Sequence, residues 1–248
     1  MDASAEIMEV FSSIQGEGLL VGERQLFVRF YGCNRYCQYC DTEASKGPVR
    51  DCLIEKTPGH RDFAARPNPV SAEELIGIIR DANKFRRLHH SVALTGGEPL
   101  LHAGFLSAVL PVIASEMPVL LETNGILFRE LEGLLPWVET ISMDVKLASA
   151  TGESTDWASH GLFMEKAKTR KLYIKAVLTS RVTDEEIHLL TDLIEKTGPA
   201  IPLVLQPVHG TLADPKWTRR LLDIQGLCKE RLRTVRIIPQ VHKMLNML

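Results

Sequence analysis

The chain has 248 residues, 45% hydrophobic and 24% charged, with 17 glycines and 13 prolines. That is ordinary globular composition and excludes disordered, collagen-like and low-complexity readings. Lys and Arg number 29 against 31 Asp and Glu, a formal net charge of -2; with no basic footprint, no nucleic-acid partner is expected. The segment MDASAEIMEV carries no Lys or Arg and no apolar centre, which predicts no signal peptide. No apolar run is read as reaching the roughly 18–20 residues of a membrane span. A reduced, cytoplasmic protein with no membrane partner is expected, a single domain over 1–248.

In chain order, Leu26–Tyr31 (LFVRFY) reads as a strand and runs into a cysteine-bearing segment. Residues 44–69 hold Gly47, Pro48, Pro58, Gly59, Pro67 and Pro69 and read as a loop or irregular insertion over about 44–70. Ser71-Ala72-Glu73-Glu74 is a capping box opening a helix to about Asn83. Then come a strand at Ser91–Thr95, a helix at Phe105–Glu116, a strand at Pro118–Glu122, a helix at Arg129–Leu135 and a strand at Thr140–Lys146. Leu172–Leu178 is the next strand, and Thr183–Glu186 repeats the capping device for a helix ending near Gly198. A strand at Pro202–Gln206, a helix at Trp217–Arg231 and a strand at Thr234–Ile238 complete the order. Strands alternating with helices imply βαβ units on a parallel sheet, curled into an open partial barrel or laid flat and doubly wound. In either case ligands collect beyond the carboxyl ends of the strands.

Those ends carry polar or glycine-rich groups: Gly32-Cys33-x-x-x-Cys37-x-x-Cys40-Asp41-Thr42, Gly96-Gly97-Glu98-Pro99, Thr123-Asn124-Gly125, Asp144 with Lys146, and Gln206-Pro207. Of five cysteines, Cys33, Cys37 and Cys40 crowd together while Cys52 and Cys228 are scattered. An odd count in a chain of this size is a poor disulfide framework. Structural zinc wants four ligands, typically as two pairs; no second pair exists, although Cys52 and His60 are available as a fourth ligand. An all-protein iron–sulfur cube wants four thiolates. Three cysteines on one loop would leave one iron open to a small molecule, the favoured reading; a non-catalytic metal-bearing structural protein is the alternative.

Cys33-x-x-x-Cys37-x-x-Cys40, with Tyr39 before the last cysteine, resembles the cluster motif of the radical S-adenosylmethionine (SAM) superfamily, and Gly96-Gly97-Glu98-Pro99 resembles its glycine-rich motif. A narrower resemblance, to the 7-carboxy-7-deazaguanine synthase family, rests on Phe11–Gly18, Phe27–Phe30, Gly32-Cys33-Asn34, Cys40-Asp41-Thr42, Thr95–Pro99, Glu122–Gly125, Gln206-Pro207 and His242–Asn246.

The resemblance implies an α/β partial (βα)6 barrel, modified, with parallel strands and an open edge. It implies a 4Fe-4S cluster on Cys33, Cys37 and Cys40, SAM chelating the open iron, and magnesium at Thr42. The implied reaction contracts the ring of 6-carboxy-5,6,7,8-tetrahydropterin to 7-carboxy-7-deazaguanine with loss of ammonia. SAM would be cleaved to a 5′-deoxyadenosyl radical, take hydrogen from C6, and be regenerated. An external flavodoxin- or ferredoxin-type reductant and a homodimer are implied as partners. Ile14, Gln15, Gly16, Arg29, Thr95 and Leu248 fall at substrate positions. Tyr39, Gly97, Glu98, Ser142, Asp144, Lys146, Gln206, Pro207, Val208 and His209 fall at SAM positions, with Glu98 expected to accept from the SAM amino group. The family's Ser-Pro-Lys is Ser142-Met143-Asp144-Val145-Lys146 here, which leaves open which of these meets SAM. A different radical SAM enzyme, such as a glycyl-radical activase, is the rival; Gln15-Gly16-Glu17-Gly18 and Cys40-Asp41-Thr42 argue against it.

Overall fold

The computed structural model describes residues 3–40, 49–84 and 88–248. Its elements in order are β1 (Ser4–Ala5), β2 (Ile7–Ile14), β3 (Arg24–Phe30), β4 (Asp51–Glu55), β5 (Phe63–Pro67), β6 (Val70–Ser71) and α1 (Ala72–Ala82). β7 (Ser91–Gly96), α2 (Ala103–Glu116), β8 (Val119–Thr123), α3 (Phe128–Glu132), β9 (Thr140–Asp144), α4 (Ala148–Thr151) and α5 (Trp157–Ala167) follow. β10 (Lys171–Leu178), α6 (Asp184–Thr197), β11 (Leu203–Pro207), α7 (Pro215–Lys229), β12 (Val235–Ile237) and α8 (Val241–Met244) end the chain.

Both expected capping boxes form. The Ser71 hydroxyl accepts from the Glu74 N–H while the Glu74 carboxylate reaches back, and Thr183 with Glu186 does the same at α6. Each closes two orphan donors of a first helical turn. The expected strands appear within a residue or two at each end.

Among the described residues, ten strands form one sheet in the order β12-β11-β10-β9-β8-β7-β3-β2-β4-β5. From β3 to β12 every neighbouring pair is parallel. Apart from the edge strand β12, these strands are largely buried on both faces, which is why they read as apolar runs. The sheet has two ends, so the barrel does not close, as expected of a partial barrel.

Two readings change. The stretch taken as irregular contains β4 and β5, an antiparallel hairpin that extends the sheet beyond β2. β5 is mostly exposed, so the apolar periodicity that reveals core strands is missing there. Secondly, Pro99–Glu116 is an 18-residue stretch of mean hydropathy 1.4, so an apolar run of spanning length does exist. Here it is a short 3-10 turn followed by α2, whose Phe105, Leu106, Val109, Leu110 and Ile113 are buried in the main core. Each such side chain contributes roughly 1.5–3 kcal/mol on burial, which accounts for the apolarity within a folded domain.

Candidate active site

A cavity of about 520 Å³ opens at the carboxyl ends of the parallel strands. The loop after β3 brings Cys33, Cys37, Tyr39 and Cys40 to one side of it. No disulfide forms; Cys37 is buried, Cys33 and Cys40 half-buried. Burial pushes the Cys33 and Cys37 thiols up from their ordinary value. The loop is pinned to the turn after α4: the Gln38 N–H donates to the Thr151 carbonyl at 3.0 Å and the Arg35 guanidinium to the Ser154 carbonyl at 3.0 Å.

The glycines of the second motif have a steric reason. A Cβ on Gly97 would lie 1.7 Å from the Gly32 carbonyl oxygen, and Gly96 has φ +111 with the Phe30 carbonyl 2.4 Å from a built Cβ. Side chains are excluded because the turn abuts the end of β3, at the root of the cysteine loop, and not only because a ligand must approach.

Glu98 stands apart from the other expected SAM residues. It is fully buried and is not among the residues lining the cavity. One carboxylate oxygen accepts from the Thr123 hydroxyl at 2.9 Å and the Leu100 N–H at 3.1 Å; the other accepts from the Asn124 N–H at 2.8 Å. Burial pushes its carboxyl up to about 7, against those donors, which pull it down. Its oxygens face inward onto these three donors, so the structure does not bring Glu98 to the cavity with the other expected SAM residues. Pro207 likewise sits in β11 rather than in the cavity wall. Thr42 and Asp41 lie outside the described residues.

Charged side chains line the wall at β9 and β10. The Lys146 ammonium donates to Asp144 at 2.8 Å and to the Tyr39 hydroxyl at 3.0 Å. Lys175 pairs with Glu17 and lies 3.6 Å from Asp144. Burial would push Glu17 up, but Lys175 more than offsets this and holds its carboxyl at about 2. Burial alone would lower both lysines; their carboxylate neighbours raise them well above the ordinary value. Ser142, Gln206, Val208 and His209 complete this side.

Beside Ser142, on the neighbouring strand β8, the Gln15 amide and the Thr95 hydroxyl converge on Glu122, at 2.7 and 2.8 Å. Burial pushes the Glu122 carboxyl up. Arg29 lies 3.1 Å from Glu9, its guanidinium 5.2 Å from the Phe11 ring centroid. Ile14 and Gly16 line this wall; a Cβ on Gly16 would meet His242 at 2.1 Å. The Ser13 hydroxyl donates to the Leu248 carbonyl at 3.0 Å, and Leu248 packs near Phe11, Phe27, Ala93 and Leu120.

Apart from Glu98, Pro207 and Thr42, every expected site residue lines this one cavity. Reasoning from the sequence gave no site role to Glu17, Glu122, Asn124, Lys175, Gln240 and His242, which also line the cavity. Lys175 carried a signal, a charge within the apolar run LYIKAVL.

The residues present fit a cube and a polar nucleoside. Among the described residues no three His, Cys, Asp or Glu converge on a single ion. A cube spreads its thiolates over separate irons, so three cysteines around a cavity suit it and a mononuclear ion does not. Asp144 Oδ1 and Gln206 Oε1 are buried acceptors without a hydrogen-bond donor, in residues that line the cavity, as a ligand with hydroxyl and amino groups requires.

The fold and the cysteine loop define a class: residues 27–181 match the Radical SAM superfamily. The chain is 42% identical over 247 residues to 7-carboxy-7-deazaguanine synthase of Geobacter sulfurreducens and 34% identical over 249 residues to that of Archaeoglobus fulgidus, covering 98% of both chains in each case. The crystal structure of QueE from Escherichia coli shares the fold at a TM-score of 0.62, with 21% identity, 96% of this chain and 95% of that one covered. The chain belongs to the 7-carboxy-7-deazaguanine synthase family.

Proposed function

We propose that this protein converts 6-carboxy-5,6,7,8-tetrahydropterin to 7-carboxy-7-deazaguanine with release of ammonia, within 7-deazapurine biosynthesis. The observation that carries the reading is one cavity lined both by the Cys33, Cys37 and Cys40 loop and by the Gln15, Thr95 and Glu122 constellation, in a chain similar along its length to synthases of that name. Cys33, Cys37 and Cys40 would hold a 4Fe-4S cluster, with SAM beside it. When bound, these cofactors supply the 5′-deoxyadenosyl radical that opens the reaction.

The protein's part is to orient and to exclude water. Of the residues left open at β9, Asp144 suits a SAM contact best, because Oδ1 is an unpaired buried acceptor while the Lys146 ammonium is held by Asp144 and Tyr39. Ser142, Val208, His209 and Gln206 would border the nucleoside, with Gln206 Oε1 as a second acceptor. Tyr39 would serve from the cluster loop, and Gly97 by its backbone. Arg29 offers a planar fork for the pterin carboxylate. Glu122, oriented by Gln15 and Thr95, would accept from N–H donors of the aminopyrimidinone ring, with Ile14, Gly16 and Leu248 against its faces.

Magnesium at Thr42, a homodimer, a flavodoxin- or ferredoxin-type reductant and a cytoplasmic location belong to the reading on the strength of the family alone. Anaerobic incubation with SAM, reductant, magnesium and the carboxypterin tests it, the deazapurine being the expected product. SAM cleavage without that product would favour the activase alternative. A protein that takes up zinc and no sulfide would overturn the cluster.

A further inference from the structure

Glu98 is a fully buried carboxylate that the proposed reaction does not use. Its connections run to the first cysteine. The Glu98 N–H donates to the Gly32 carbonyl at 2.8 Å, so its backbone ties down the residue before Cys33. Its carboxylate accepts from the Asn124 N–H at 2.8 Å. Asn124 Oδ1 accepts from the Ile126 N–H at 3.2 Å, which turns Nδ2 toward the cysteine loop. That Nδ2 donates to Asn34 Oδ1 at 2.7 Å and lies 4.0 Å from the Cys33 sulfur. The chain of bonds closes on Gly32-Cys33-Asn34, gripping Cys33 by both flanks.

We propose that Glu98 is a positioning residue for the Cys33 thiolate, acting through the Gly32 carbonyl and through Asn124 on Asn34. Three donors at fixed spacing, the Thr123 hydroxyl and the Leu100 and Asn124 N–H groups, make the side-chain grip specific to a carboxylate. A glutamine would turn an N–H toward either the Asn124 N–H or the Leu100 N–H, and would leave that buried donor unmatched. Residues that orient metal ligands in this way typically change metal affinity or activity by about 10- to 100-fold when lost. They also tune cluster potential through hydrogen bonds near the sulfurs.

The inference rests on the cluster reading, and the experiment separates the two. Parent, Glu98→Gln, Asn34→Ala and the double variant are reconstituted anaerobically. Iron and sulfide, the midpoint potential, the electron paramagnetic resonance spectrum of the reduced cluster, and KM for SAM and for the pterin are then measured. A parent that takes up no iron and sulfide would refute the cluster reading itself. The expected result is a full parent cluster, a displaced potential and altered spectrum in both single variants, and a double variant no worse than Glu98→Gln. KM for SAM should rise about tenfold with KM for the pterin unmoved. Asn34 is exposed, so Asn34→Ala keeps the test decisive where Glu98→Gln fails to fold. Parent-like spectrum and potential in Asn34→Ala would overturn the proposal, as would additive losses in the double variant.

Discussion

The two sides of the cavity are built in different ways. The cluster side comes from one short loop: Cys33, Cys37, Tyr39 and Cys40 lie within eight residues, and the turn at Gly96-Gly97 meets the root of that loop directly. The rest of the wall, substrate positions included, is stitched from distant chain. Glu17 binds Lys175 and Gln240, at separations of 158 and 223 residues, and Ser13 holds Leu248 across 235. A local motif can be read from spacing, whereas a wall made by long-range contacts becomes visible only when the chain is folded. The cluster side should therefore fail all at once, and the substrate side by degrees.

The largest effect is expected on the cluster side. Cys37→Ala should leave iron and sulfide below stoichiometry and turnover undetectable, by metal analysis and product assay, while the protein stays folded by circular dichroism. Retained turnover would break the comparison at its base. Next comes Lys175, where the two sides meet. Its ammonium sits between Glu17 and Asp144, and Lys175→Met would leave both carboxylates buried beside an apolar chain. Removing one partner of a buried pair costs about 3–5 kcal/mol, to be read by urea unfolding. A loss under about 1 kcal/mol would mean that water reaches the pair freely.

Each side also rests on a buried histidine. His160 of α5 donates from Nδ1 to the Gly125 carbonyl at 3.1 Å and accepts at Nε2 from the Lys146 N–H at 3.3 Å, behind the cluster side. His89 bonds Asn83 at 3.2 Å and the Ser12 hydroxyl of β2 at 2.8 Å, behind the substrate side. Burial holds both near 4, below the ordinary 6.5. Between those values the unfolded chain binds more protons than the folded one, so stability is lost as pH falls from 6.5 toward 4. Glu98 works the other way, since its carboxyl is raised to about 7. Single variants therefore isolate each share. His89→Gln and His160→Gln should each lose less stability than the parent across that window, by at most about 3 kcal/mol. An unchanged pH slope in either would show that its imidazole charges without cost in the folded state.

The legibility of the sequence followed the same division. The parallel strands and both capping boxes declared themselves because burial on two faces imposes apolar runs and a first helical turn needs its orphan donors closed. β4 and β5 did not, because the exposed edge strand β5 has no apolar face to betray it, β4 is only five residues long, and Pro67 and Gly59 read as breakers. Glu98 was placed at the correct strand end, but the direction of its side chain depends on the Asn124 N–H, 26 residues away. Glu122 was read as the end of a strand; only the arrival of Gln15 and Thr95 makes it a site. Lys175, a lone charge among apolar residues, was legible in position while its partner Glu17 was not.

The smallest predicted effect is the sharpest test of the division. Leu248 packs near Phe11 and Phe27 and lines the cavity, while its carbonyl is held by Ser13 through the backbone. Leu248→Ala keeps that hydrogen bond and removes only apolar contact. Truncating a half-buried leucine at a cavity rim should cost about 1.4 kcal/mol, a tenfold rise in KM for the pterin. KM for SAM, and the rate of SAM cleavage in the absence of pterin, should not move, because Leu248 packs with Phe11, Phe27, Ala93 and Leu120, a cluster that includes none of Cys33, Cys37, Cys40 or Asp144. Were both KM values to rise together, the tail would be shaping the whole cavity, and the two sides would have to be treated as one cooperative unit.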